Sequence, residues 1–373
     1  MSSKVFFHDA RSSAKKNRLD KVRSLFKHAG FGRLINSRDK VAVKIHWGEP
    51  GNVGFLAPPY IRAVVGLVKD AGGLPFVTDT NTLYSGMRRN AVENLRAAAI
   101  NGFTAETIGA PLVVADGLLG RDFRRVDLPG SSVGEARIAS AIIEADAMIV
   151  CSHVKGHMLF GYGGALKNLG MGCAVPAGKQ VLHSDVHPCV DPKVCQGDAI
   201  CVTRCPERCI EMVPRNASRP RGKKVALIDQ ERCIGCGECT SACPHQAIPI
   251  NWRTSTEAIQ RKTSEYAYAA VRDKPGRVGY LNFIIQVTPD CDCCDWNDTP
   301  FVPDVGFAAS LDPVALDAAS IDLVAKTPPS PLSKATGCIG DPWRAVYDVD
   351  YRRILAFAEE TGLGTSDYEL VRL

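Results

Sequence analysis

Between Cys195 and Pro244 the chain carries two successive cysteine runs, each ending in Cys-Pro. The second reads Cys233-Ile-Gly-Cys236-Gly-Glu-Cys239-Thr-Ser-Ala-Cys243-Pro244. This C-x2-C-x2-C-x3-C-P spacing wraps three thiolates around one iron–sulfur cube and sends the fourth to a neighbouring cluster. The first run, Cys195-Gln-Gly-Asp198-Ala-Ile-Cys201-Val-Thr-Arg-Cys205-Pro206, keeps the frame but places a carboxylate where the second thiolate belongs. A carboxylate is a harder donor than a thiolate and holds cluster iron less firmly. The expectation there is a four-iron cube with a labile corner or a three-iron cluster. Structural zinc also uses C-x2-C pairs, but it seldom takes three cysteines at this spacing closed by Cys-Pro, so iron–sulfur is the better reading.

A second reactive group follows the apolar pattern Ala147 to Ser152: His153, Lys155, His157, Gly163, Gly164, Lys167 and Cys173 fall in one short stretch. Glycines let backbone N–H groups approach an anion, the two lysines add positive charge, and His157 can hold a proton or a metal. The expectation is a catalytic pair, His157 and Lys167, beside a cofactor cradle of His153, Lys155, Gly163 and Gly164. A tight strand-to-helix connection with solvated lysines is the plain alternative. Further on, Cys291-Asp292-Cys293-Cys294-Asp295 is dense enough for a soft-metal site or a thiol pair. Cys291, Cys293 and Cys173 are the candidate ligands, with His183 available if the loops converge; spare thiols at a tight turn are the alternative. Asp116, Asp312 and Asp317 are candidate acids or bases, although helix-capping aspartates are common. Arg88 and Arg89 can clamp a carboxylate or phosphate, and His46 is a core or rim histidine.

The stretch Cys189 to Asn251 resembles the bacterial two-cluster ferredoxins. That resemblance implies crossed ligation: Cys233, Cys236, Cys239 and Cys205 on one cluster, and Cys195, Cys201, Cys243 and Asp198 on the other. Cys209 then falls where many ferredoxins keep a spare thiol, or it is a replacement ligand. Nearly the whole chain resembles the iron–sulfur centre proteins called domain of unknown function 362. The marks are Thr80-Asn81-Thr82-Leu83-Tyr84 with Arg88 and Asn90, Ala115-Asp116-Gly117, His153 to Gly172, His183, Cys291-Asp292-Cys293 and Asp312-Pro313-Val314-Ala315. A weaker likeness reaches the N-terminal domain of nickel-pincer lactate racemase through His157, Gly161-Tyr162-Gly163-Gly164 and Lys167. In that enzyme the matching lysine carries the nickel cofactor covalently. The surrounding sequence departs widely, which implies a shared pocket more than shared chemistry.

The elements that must position these residues alternate. Strand patterns at Val5 to His8, Val41 to His46, Leu74 to Thr78, Pro111 to Ala115, Ala147 to Ser152 and Tyr280 to Val287 are separated by helical patterns. The helices are expected around Leu19 to Phe26, from Pro58 to Lys69, Ala91 to Asn101, Val133 to Glu144, Pro313 to Val324 and Tyr351 to Thr361. This predicts an α/β fold, a mainly parallel sheet covered by helices, with a small α+β ferredoxin-like domain inserted. The host is expected at 1–188 and 255–373, the insert at 189–254, and a hairpin from Pro214 to Lys224 between the cysteine runs.

The chain has 373 residues, 45 % of them hydrophobic, which is enough for two or three domains with compact cores. Its net charge of +5 sits in local runs such as Lys15, Lys16, Arg18, Lys21 and Arg23, without interleaved aromatic rings. Those runs read as solvated faces or a dock for an acidic redox partner, not as a nucleic-acid footprint. No apolar run reaches the length of a membrane span, and fifteen cysteines, concentrated in cluster spacing, point to a cytoplasmic, reducing and anaerobic setting. The functional expectation is an oxidoreductase or electron-transfer subunit whose two clusters pass single electrons to or from a host pocket. That pocket would hold a small anionic substrate or a further metal or organic cofactor. The alternatives are an electron carrier with a non-catalytic docking domain, and a racemase-like or cofactor-handling enzyme using His157 and Lys167.

Overall fold

The computed structural model describes residues 2–84, 86–214, 224–250, 252 and 254–373. Its main sheet has eight strands in the order Tyr368–Arg372, Ser3–Asp9, Gly306–Ser310, Val278–Ile284, Ala147–His153, Lys40–Lys44, Leu74–Asp79 and Leu112–Val114. Gly306–Ser310 runs antiparallel to both neighbours; every other adjacent pair is parallel. The mainly parallel α/β fold expected from the alternation is therefore the fold observed.

Alternation along each strand divides the core in two. Val41, Val43, Ile149, Cys151, Leu281 and Phe283 face one side. Ala42, Met148, Val150 and Tyr280 face the other. On the first side pack the helices Arg18–His28, Pro58–Asp70 and Ala91–Ile100, through Val22, Leu25, Ile61, Val64 and Ala98. On the second lie Ala165–Gly170, Thr256–Val271 and Pro313–Ala325. Strands buried on both faces need apolar residues at every position, which is why they read as continuous runs. Helix starts follow their caps: Asn17 and Asp20 form a capping box, and Asp312 accepts from Val314 N and Ala315 N. Asp312 is thus a helix cap and not an acid–base group.

The helix expected from Val133 to Glu144 is instead a strand, Glu135–Ala139, followed by a short helix, Ser140–Glu144. The strand pairs antiparallel with Phe123–Asp127. Ala136 and Ile138 turn into the core, and the neighbouring Arg137 turns to the cysteine-rich unit, where it donates to Cys236 O at 3.3 Å and pairs with Glu238 at 3.6 Å. A tertiary partner outweighs the local helical pattern there. The strand Gly306–Ser310 and the helix Thr256–Val271 were not foreseen, although Ser255 caps the latter by accepting from Ala258 N.

The cysteine-rich unit has a small core of its own, which includes Cys195, Cys201, Ile210, Ile228, Cys239, Cys243 and Ile248. Two short helices, Ile200–Arg204 and Glu238–Ala242, pack beside an antiparallel pair, Ile210–Pro214 with Lys224–Ile228. The turn expected between those strands lies at 215–223, outside the described residues.

Candidate functional site

The strands Lys40–Lys44, Leu74–Asp79, Ala147–His153 and Val278–Ile284 run in one direction, so their carboxyl ends meet on one edge of the sheet. Open α/β sheets bind ligands at such an edge. Here the strand ends and the loops after them deliver His46, Asp79, His153, Lys155 and Cys291 to one cavity of about 340 Å3. His157, Gly163, Gly164, Lys167 and His183 line it too, with Leu83, Met158, Leu159, Met171 and Trp252 giving it apolar walls.

Buried charge is paired around this cavity. Lys44 Nζ lies 3.0 Å from Asp79 Oδ1, and Arg88 bonds both Glu49, at 2.8 Å, and Asp79, at 3.3 Å. Burial pushes the Asp79 carboxyl up, but Lys44, His46 and Arg88 together outweigh it and hold it below its ordinary value. Asp116 accepts from Asn81 N, and burial raises its carboxyl to about 7. Burial lowers Lys179 to about 8, while its Nζ donates to Thr80, Asn81 and Ala174 oxygens. Burial also lowers His46 to about 3, and Gly48 N–H donates to its Nδ1 at 3.0 Å. Sequence reasoning missed Lys44, Glu49, Asp79 and Lys179. Lys44 carried a signal, a lysine inside the otherwise apolar strand run Val41 to Ile45.

Asp292 is the hub of the second loop. It is fully buried, accepts from Lys155 Nζ at 2.7 Å and lies 3.0 Å from His153 Nδ1. Burial opposes its charge, yet His153 and Lys155 hold the carboxyl well below the usual range. The cradle residues His153 and Lys155 therefore position this loop as well as lining the cavity. Arg88 likewise acts as a buried structural cation, while Arg89 lines a separate cleft.

The helix Ala165–Gly170 holds Lys167 over the cavity. Its first amides, Ala165 N and Leu166 N, both donate to the buried carboxylate of Asp317 at 2.9 Å, as does Tyr162 OH. Asp317 is thus a positioning residue. Gly164 serves the same packing, because a Cβ there would collide with the Tyr162 hydroxyl and with Asp317. Gly163 lines the cavity directly.

Lys167 Nζ reaches Cys291 Sγ at 3.3 Å. Donor atoms of His157, Cys291 and Cys293 lie within 4.8 Å of one another. A hydrogen bond from Cys293, joined by Lys167, His157 and Lys155, holds the Cys291 thiol well below its ordinary value against the effect of burial. The same hydrogen bond pushes Cys293 up. Burial, then Lys167, lowers His157. Cys173 does not join the group: its thiol packs in the sheet core against Asn168 O at 3.9 Å, and burial pushes it up to about 11. His183 lines the cavity, edge-on to Trp252 with ring centroids 4.9 Å apart.

In the cysteine-rich unit the thiols fall into two groups. Cys205, Cys233, Cys236 and Cys239, with Cys209, line one small cavity. Cys209 N donates to Cys205 Sγ at 3.3 Å, and Gly235 N to Cys233 Sγ at 3.4 Å. Cys201, by contrast, feels the charges of Cys195, Cys243 and Asp198. Four sulfurs around one cavity, met by backbone N–H groups, suit an iron–sulfur cube. Asp198 sits with the second group, yet its carboxylate contacts His245 Nε2 at 3.2 Å and caps Ile200 N at 3.1 Å.

A family model described as domain of unknown function (DUF362) matches residues 41–322. The chain belongs to that family. A tetrathionate reductase subunit of Salmonella typhimurium is 38 % identical over 48 residues, 13 % of this chain and 19 % of that protein. A ferredoxin of Mycolicibacterium smegmatis is 31 % identical over 77 residues, 19 % of this chain and 60 % of that protein. This chain thus covers less than two thirds of either relative. Among solved structures, lactate racemase apoprotein from Thermoanaerobacterium thermosaccharolyticum aligns over 76 % of this chain and 51 % of its own, at 12 % identity and a TM-score of 0.38. Over short segments the chain is thus similar to iron–sulfur reductase subunits and to a ferredoxin. Among the described residues no helix is long and apolar enough to cross a membrane.

Proposed function

We propose that this protein is an oxidoreductase component in which an inserted two-cluster unit, residues 189–254, passes single electrons between a partner protein and a small anionic ligand in the host cavity. Cys205, Cys233, Cys236 and Cys239 would hold one cluster, and Cys195, Cys201 and Cys243 with Asp198 the other. The clusters supply one-electron storage; the chain's own residues bind and orient the ligand. Lys167, whose Nζ meets Cys291 Sγ, attracts negative charge, and Leu83, Leu159 and Met171 give the ligand apolar walls.

The observation that carries this reading is a shared wall. Thr82, Leu83 and Trp252 line the host cavity and also a neighbouring cleft, whose far side is Thr240, Ser241 and Gln246 from the second cysteine run. A module that only docked partners would have no need to abut a cation-rich cavity. Relatives over short segments include a tetrathionate reductase subunit, which supports a redox partner protein for this chain.

The test is reduction of anaerobically isolated protein with limiting dithionite, then addition of tetrathionate as a small anionic two-electron acceptor, following the clusters by electron paramagnetic resonance. Wild type is expected to reoxidise its clusters as electrons pass to the acceptor in the cavity, and Lys167→Ala to leave them reduced. Clusters that stay reduced equally long in both would make the host a docking body.

A further inference from the structure

The chain itself sets the tautomer of His157. Leu159 N–H donates to Nδ1 at 3.1 Å, so the proton of the neutral ring sits on Nε2. A ring nitrogen of His157 lies within 4.8 Å of Cys291 Sγ, and Lys167 Nζ approaches the same sulfur at 3.3 Å. The cluster of His157, Cys291 and Cys293 within 4.8 Å is compact enough to enclose an ion. A metal, however, needs a free imidazole lone pair: the one on Nδ1 is occupied by Leu159 N–H, and Nε2 carries the proton. What the site offers is a lysine ammonium donating to one buried sulfur with an imidazole N–H beside it, the setting that makes a thiolate.

We propose that Cys291 and Cys293 are a redox-active thiol pair, Cys291 the attacking thiolate and Cys293 the resolving thiol, and that the pair acts on a small, negatively charged disulfide. The lowered Cys291 and raised Cys293 thiols agree with that division of roles. Lys167 Nζ, 3.3 Å from Cys291 Sγ, is the cation placed to meet the charge of that disulfide.

The chemistry balances with what the chain holds. The Cys291 thiolate attacks one sulfur of R–S–S–R′, forming the Cys291–S–R bond while R′–S− leaves and takes the Cys293 proton. Cys293 then attacks Cys291 Sγ, releases R–S− and closes the Cys291–Cys293 disulfide. Two electrons with one proton from solvent restore the Cys291 thiolate and the Cys293 thiol, and clusters held by Cys205, Cys233, Cys236 and Cys239 and by Cys195, Cys201 and Cys243 would supply those electrons one at a time. This deepens the electron-delivery reading, because two one-electron carriers match one two-electron couple.

The test uses the full-length, cluster-loaded protein under anaerobic conditions, with 5,5′-dithiobis(2-nitrobenzoate) as the anionic disulfide. With oxidised clusters, a fast phase is expected to release about two thionitrobenzoates per chain and to leave a Cys291–Cys293 disulfide in peptide maps. Cys291→Ser loses the fast phase, Cys293→Ser halves it and keeps the adduct on Cys291, and Cys294→Ser retains it. Iron content serves as the folding control. An unchanged fast phase in Cys291→Ser overturns the proposal. So does one non-iron ion per chain that is lost in Cys293→Ser while iron is unchanged. A disulfide that persists beside reduced clusters refutes electron delivery and leaves the thiol pair standing.

Discussion

Replacing Asp292 by Asn removes the negative charge that anchors the cavity loop between Cys291 and Cys293. The 2.7 Å separation of Lys155 Nζ and Asp292 Oδ2 corresponds to about 6 kcal/mol of attraction at an effective dielectric of about 20. Desolvation of two buried charges cancels much of that, but removing one partner alone strands the other and costs about 3–5 kcal/mol. In Asp292→Asn the remaining oxygen can still face His153 Nδ1, while the new amide NH2 points at the Lys155 ammonium, donor against donor. The double variant Asp292→Asn/Lys155→Met removes the stranded charge, so it is expected to be about 2–3 kcal/mol more stable than the two single losses summed. Anaerobic urea denaturation at neutral pH, followed by far-ultraviolet circular dichroism, measures all four proteins. A loss below about 1 kcal/mol in Asp292→Asn, or strict additivity in the double variant, would refute the view that this pair holds the loop.

Three further outcomes are expected. His46 is held neutral, with a folded pKa of about 3 against an ordinary 6.5, so its contribution to stability is complete above pH 6.5 and is lost as pH falls toward 3. The slope approaches about 1.4 kcal/mol per pH unit in that window. His46→Gln, which keeps an acceptor for Gly48 N–H, should flatten the stability profile between pH 7 and 5 by about 1 kcal/mol per unit; parallel profiles would show that His46 titrates as it does when unfolded. Cys236→Ser should lower iron content by about four atoms per chain, and Asp198→Cys should raise it by about one if the carboxylate corner is the labile one. Iron analysis reads both, and an unchanged content in Asp198→Cys would mean that the corner is already filled.

Much of the architecture was legible because local rules and tertiary packing agree. The strands buried on both faces read as apolar runs, and the helices at Arg18–His28, Pro58–Asp70 and Pro313–Ala325 announce themselves through caps and proline starts. Where a partner distant in sequence decides the conformation, the local pattern misled. Arg137 and its neighbours form a strand because the cysteine-rich unit and Phe123–Asp127 pair with them. Lys44 and Asp79 became site residues only because parallel strands bring their ends to one edge, and Lys179 reaches that edge from the helix Pro176–His183.

By itself, the sequence determined the cysteine chemistry, since x2 spacing closed by Cys-Pro imposes the reach of thiolates around a cluster wherever the run is placed. It also marked His157, Lys167, Cys291 and Cys293 as reactive types. Only the tertiary structure decided that these four meet while Cys173 stays in the core. Only the structure set the Leu159 N–H against His157 Nδ1 and the Lys167 ammonium against Cys291 Sγ. The physical reason is distance. Residues 157 and 291 meet through parallel strand pairing across the sheet, and burial beside one another, not their identity, sets which protons they keep.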